Sequence, residues 1–145
     1  MKHKLIIYGC LGIVLCFIMS IPIVNDYCAY TVGKKLCATP LPESTELVDS
    51  LSKAGKLTGN GNGIQYFSAI LIQSELTLEQ LEDFYSNYRE NGWEYLVAVQ
   101  TNCDLSFIEL EQLRFSQDVK TDGYYIVYTW GQGIELFEIL DIRGH

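Results

Sequence analysis

The sequence predicts an α+β protein: an N-terminal transmembrane helix, then a small, mainly antiparallel sheet with one helix packed on one face. Three observations carry that expectation. Leu5–Val24 is a run of twenty residues without a charge. Short segments of strand-like alternation, rich in Tyr, Ile and Val, recur after residue 45. Residues 77–92 carry a capping signal followed by apolar residues at helical spacing. The expected order of the folded part is β-β-α-β-(β)-β-β.

The apolar run comes first. At ~1.5 Å of rise per residue it spans ~30 Å, the hydrocarbon thickness of a bilayer. A secretory signal would have a shorter apolar region, ~7–15 residues, and a small-x-small cleavage site. The exit here reads Pro22-Ile23-Val24-Asn25-Asp26-Tyr27-Cys28-Ala29, with Tyr27 where a small residue is needed. A lipobox fails as well, because Leu15 precedes Cys16 and Tyr27 precedes Cys28. An uncleaved signal-anchor is therefore expected. Lys2 and Lys4 stand before it, Asn25 and Asp26 after it, and Lys34 and Lys35 only further on. This bias puts the N-terminus in the cytoplasm and the remainder outside. Gly9 and Gly12 are three apart, so no Gly-x-x-x-Gly dimerisation face is indicated. The expected organisation is a cytoplasmic segment 1–4, a transmembrane signal-anchor 5–24, a Pro-containing tether 25–43 and an extracytoplasmic α+β domain 44–145. Thr39-Pro40-Leu41-Pro42 predicts that the tether is extended.

Within the domain, Glu46–Leu51 and Ile64–Ser74 read as strands joined by Gly59-Asn60-Gly61-Asn62-Gly63, whose Asn-Gly steps favour a tight reversal. A phosphate loop would need Gly-Lys-Ser/Thr, and Gly55-Lys56 is followed by Leu57. Thr77-Leu78-Glu79-Gln80 is a capping box. Leu78, Leu81, Phe84, Tyr85 and Tyr88 continue it as one apolar stripe, with Asn91-Gly92 as the stop. Trp93–Gln100 alternates as a strand, and residues 105–115 lean to a strand with a second helix as the alternative. Asp118–Gly123 reads as a polar turn. Its partial likeness to a calcium loop fails at Lys120 and Thr129. Tyr124–Trp130 is an aromatic strand, and Gly131-Gln132-Gly133 turns the chain into a last strand near Ile134–Ile142.

Charge and composition bound the function. Beyond the apolar run stand eight basic and eighteen acidic residues, a net charge of −10. That excludes nucleic acid and anionic lipid as natural partners, since phosphate contacts need Lys and Arg. Cys10 and Cys16 lie inside the apolar run, Cys103 is alone, and Cys28 and Cys37 are spaced for a small disulfide loop outside the bilayer. No metal-ligand spacing and no cofactor motif is present. The histidines, His3 and His145, stand at the two ends, and no Ser/His/Asp set, Cys/His pair or Gly-x-Ser-x-Gly elbow occurs.

A mismatch of area points elsewhere. One helix covers one face of a sheet, yet Tyr124–Trp130 and Ile64–Gln73 are apolar on both sides. The second face must be covered by the tether, by 106–115, or by a partner. Tyr124, Tyr128, Trp130 and Tyr66 are the candidate binding face. The expectation is a single-pass, membrane-anchored binding or accessory module without catalytic activity, its partners the membrane through residues 5–24 and another envelope protein. The alternatives are a small envelope hydrolase using carboxylates such as Glu138 or Asp141, and an immunity-like inhibitor of a basic protein.

Overall fold

The computed structural model describes residues 2–59, 63–120 and 122–145. The Asn-Gly steps at 60–62, and Thr121 within the polar turn, lie outside the described residues. The first element, α1 (Lys2–Ala38), is one continuous helix of 37 residues that runs through Pro22. At ~1.5 Å per residue it is roughly 55 Å long. Its two halves meet different surroundings. Ile6 through Met19 all stand exposed, and the helix over Ile6–Ala38 is long and apolar enough to cross a membrane. From Ile21 onward one stripe is buried: Ile21, Asn25, Ala29, Val32 and Leu36.

That stripe corrects the expected tether. Residues 25–38 are helical and packed rather than extended, and only 39–44 lie outside regular structure before the first strand. The reason is legible afterwards: the buried positions recur at three- and four-residue intervals, and after Pro22 no proline interrupts them before Pro40.

The strands are β1 (Thr45–Gly55), β2 (Gln65–Ser74), β3 (Arg89–Glu90), β4 (Trp93–Glu94), β5 (Leu96–Val99) and β6 (Tyr124–Gly131). Four of them form an antiparallel sheet in the order β1-β2-β6-β5, while β3 and β4 pair as a separate small hairpin. The fold is α+β, as its alternation pattern predicted. β2 is central, and Tyr66 through Ile72 are all buried because both faces of the sheet are covered.

On one face Ile70, Ile72 and Val127 pack under Leu36 of α1 and under Leu81 and Tyr85 of α2 (Leu78–Tyr85). Close approach of α1 depends on small residues. Ser68 Oγ donates to Ala29 O at 3.1 Å, and a Cβ on Gly33 would collide with the Ser52 side chain. On the other face Phe67, Ala69, Leu71 and Ile126 are covered by Leu105, Ile108 and Phe115. The covering segment, residues 103–119, is neither strand nor helix. It is a tongue closed on itself by a single bridge between Asp104 and Arg114 and by Phe115 N donating to Cys103 O. Its backbone is fastened to β1 and the loop after it. Leu57 O accepts from Glu109 N and Leu110 N, Asp49 Oδ2 accepts from Ser116 N at 2.6 Å, and Lys53 pairs with Glu111 at 2.8 Å. The chain thus covers its own second face.

Two further elements differ from expectation. The helix begins at its capping box, with Gln80 N donating to Thr77 Oγ1 and Thr77 N to Gln80 Oε1. It ends at Tyr85, well before Asn91-Gly92, because Ser86 and Asn87 side chains donate to the Asp83 and Phe84 carbonyls and close the last turn. Asn91 and Gly92 instead take positive φ, 47° and 85°, in the two-residue turn between β3 and β4. The expected last strand near 134–142 is a short helix, α3 (Glu135–Leu140), followed by a 3-10 turn at Ile142–Gly144. β6 already has partners on both edges, so the chain leaving it meets α1 with no ladder to join and satisfies its backbone locally.

Candidate functional site

A cleft of about 490 Å³ opens at the end of the sheet nearest Asn25. Its walls come from the turn after β1 (Thr58), the start of β2 (Gln65, Tyr66), β4 (Trp93), the end of β6 (Trp130) and α3 (Glu138). Each wall is held from behind. Gln65 Oε1 accepts from Leu57 N and Thr58 N, both at 2.8 Å, and Gln65 Nε2 donates to Thr58 Oγ1 at 3.0 Å. Trp130 packs on Phe67 with ring centroids 5.0 Å apart. Gly133 N donates to Glu138 Oε1 at 2.9 Å, and Gly133 lies so close to the Tyr66 ring that a Cβ there would overlap it. Trp93, by contrast, is 45% exposed and presents its indole to the opening.

Behind the cleft lies a buried polar node that ties α1 to the end of the described chain. Tyr66 Oη donates to Asn25 Oδ1 at 2.7 Å, and Asn25 Nδ2 donates to Asp141 Oδ2 at 2.7 Å. Arg143 donates through Nε and Nη2 to Asp141, through Nη1 to Asp26 at 2.8 Å, and through Nη2 to the Pro22 carbonyl at 3.2 Å. The Arg143 guanidinium holds the Asp141 carboxyl down at about 2, against the opposing effect of burial, with Asn25 adding to the lowering. Burial, then the nearby charge of Glu138, pushes the Tyr66 phenol well above its ordinary range, so it stays a proton donor to Asn25.

The four residues expected to form a binding face do not share one. Direct pairing of Phe67 with Trp130 and of Tyr66 with Gly131 puts Trp130 and Tyr66 on opposite faces. Tyr124 and Tyr128 pack against the tongue side of the core, where Tyr128 lies 4.9 Å from the Phe107 ring. Only Trp130 and Tyr66 line the cleft, each from its own side. Trp93 belongs with them. Sequence reading misses it, because Asn91-Gly92 reads there as a helix stop; read as a hairpin turn, that Asn-Gly step places the flanking Trp93 at a sheet end. Cys28 and Cys37 are free thiols on the same helix. Nine residues of helical rise set them ~13 Å apart along the axis, beyond the ~7 Å limit for Cα atoms joined by a disulfide, so the expected bridge does not form.

Chemically, the cleft offers a broad apolar wall for stacking, the amide of Gln132, a Gln65 amide already tied to Leu57 and Thr58, and one carboxylate already holding a backbone N–H. Asp141, the other carboxylate considered for catalysis, is 2% exposed and saturated by Arg143 and Asn25. His145 Nε2 lies 2.9 Å from the Ile139 carbonyl oxygen. Among the described residues no group of three His, Cys, Asp or Glu could hold a metal ion. No protein-family model, no curated protein and no solved structure matches the chain.

Proposed function

We propose that the chain is a single-pass, membrane-anchored binding or accessory module whose folded part, 44–145, works outside the cytoplasm and performs no chemistry of its own. The carrying observation is that α1 leaves Ile6 through Met19 uncovered while its later turns are built into the domain core. The helix over Ile6–Ala38 is long and apolar enough to cross a membrane, and the Lys2 and Lys4 flank favours the orientation. Binding is assigned to the cleft between Trp93 and Trp130, because the exposed Trp93 indole beside the Gln132 amide suits the apolar face of another envelope component.

The test is capture by the intact chain, solubilised from membranes, against the same chain carrying Trp93→Ala. Loss of a specific companion in the variant, with the folded state unchanged, supports the reading. Turnover of an envelope substrate that disappears on replacing Glu138 would defeat it in favour of the hydrolase. A net charge of −10 beyond the anchor keeps the immunity-like inhibitor in view. Capture that collapses with added salt and ignores Trp93→Ala would assign the protein to that class instead.

A further inference from the structure

The short helix α3 carries apolar surface that nothing among the described residues covers. Leu136, Ile139 and Leu140 stand 55%, 58% and 44% exposed on one stripe, flanked by Ile134 and Ile142. The inner side of the same helix is spoken for: Phe137 packs on Phe17 of α1 with ring centroids 5.9 Å apart, and Phe137 O accepts from Asn25 Nδ2 at 3.1 Å. Glu138 turns toward Gly133 and the cleft, away from the stripe. The uncovered stripe is therefore continuous, through the Phe17–Phe137 contact, with the uncovered apolar surface of α1.

Depth can be read along α1. Phe17 lies seven residues before Val24, the last residue of the uncharged run, or ~10 Å below its outer end. Interfacial helices bury their apolar side about 5–10 Å into the boundary between headgroups and acyl chains. We infer that α3 seats Leu136, Ile139 and Leu140 in the outer boundary of the bilayer that α1 crosses, so that the domain rests on the membrane instead of standing off it. This rests on reading α1 as a membrane anchor. The node of Asn25, Asp141 and Arg143, which joins α3 to α1, then fixes the angle at which the sheet leaves the lipid. It would also open the Trp93–Trp130 cleft beside the bilayer surface, within reach of what lies on it.

The experiment uses the unaltered full chain in phosphatidylcholine nanodiscs doped with lipid bearing a nitroxide on the upper acyl chain, read by methyl resonances. Leu47 and Val99 are internal controls, since they are 43% and 56% exposed and sit at the opposite end of the sheet, opposite Ile72 and Tyr125. Ile13, 72% exposed, reports the anchor. The expected result is severalfold greater broadening at Leu136, Ile139 and Ile13 than at Leu47 and Val99. Broadening at Ile13 with Leu136 and Ile139 as sharp as Val99 overturns the seating of α3 and leaves the anchor standing. So do contacts from α3 to a second copy in place of lipid broadening. Sharp resonances at Ile13 as well would remove both readings together.

Discussion

Arg143→Ala should destabilise the fold by an amount that depends on pH in a stated direction. Arg143 is the first cause of the depressed Asp141 ionisation, and Asp141 is 2% exposed. Lowering that carboxyl from 3.8 to about 2 corresponds to about 2 kcal/mol of stability at neutral pH. Because the folded value lies below the unfolded one, this contribution is complete above pH ~4 and disappears as the pH falls toward 2. Removing the guanidinium leaves the carboxylate buried with Asn25 and the Arg143-position amide as donors, and breaking a buried pair from one side costs about 3–5 kcal/mol. The variant should therefore be weaker than the parent by about 2–5 kcal/mol at pH 7. The gap should narrow steadily below pH 4, where protonation relieves the stranded charge. Urea unfolding of the full chain in nonionic detergent, followed through Trp93 and Trp130 fluorescence at pH 7 and pH 3, measures both quantities. An equal gap at the two pH values would refute the electrostatic account and leave Arg143 as a packing residue. No gap at all would mean that the node does not hold α1 to the domain.

Three further outcomes follow from single contacts. Among the described residues the buried Tyr85 hydroxyl has no hydrogen-bond partner, and burial pushes its ionisation up to about 12. Tyr85→Phe should accordingly be neutral or stabilising by up to about 1 kcal/mol in the same unfolding assay, and a clear loss would reveal a partner for that oxygen. Thr77→Ala removes the cap of α2 and should cost about 1 kcal/mol, whereas Thr77→Ser should cost little; equal losses would show that the methyl group matters more than the oxygen. Gly33→Val forces a branched side chain against Ser52 and Ser68, so it should lift α1 from the sheet and expose the domain to limited proteolysis near residue 38. Unchanged digestion would indicate that the helix can shift aside.

Much of the architecture is readable from local pattern because the relevant forces are local. The capping box of α2, the alternation of β2 and β6 and the apolar run each need only neighbours in the chain to be recognised. The site was less legible. Alternation put Tyr66 and Trp130 in aromatic strands, but which face each takes depends on the register between strands fifty residues apart, and that register sets them on opposite sides. Cys28 and Cys37 were spaced for a loop, yet the same interval on a helix separates them.

By itself, then, the amino-acid order determined an uncharged N-terminal helix, an acidic α+β domain and the position of its capped helix, since these are written in runs, periods and caps. Tertiary structure alone decided that the chain after Val24 stays helical and joins the core, that 103–119 covers the second face, and that 135–140 coils instead of pairing. Those segments carry apolar residues compatible with helix, strand or loop. What selects among the three is whether a partner surface or a free sheet edge is within reach, and only the assembled sheet supplies the one or withholds the other.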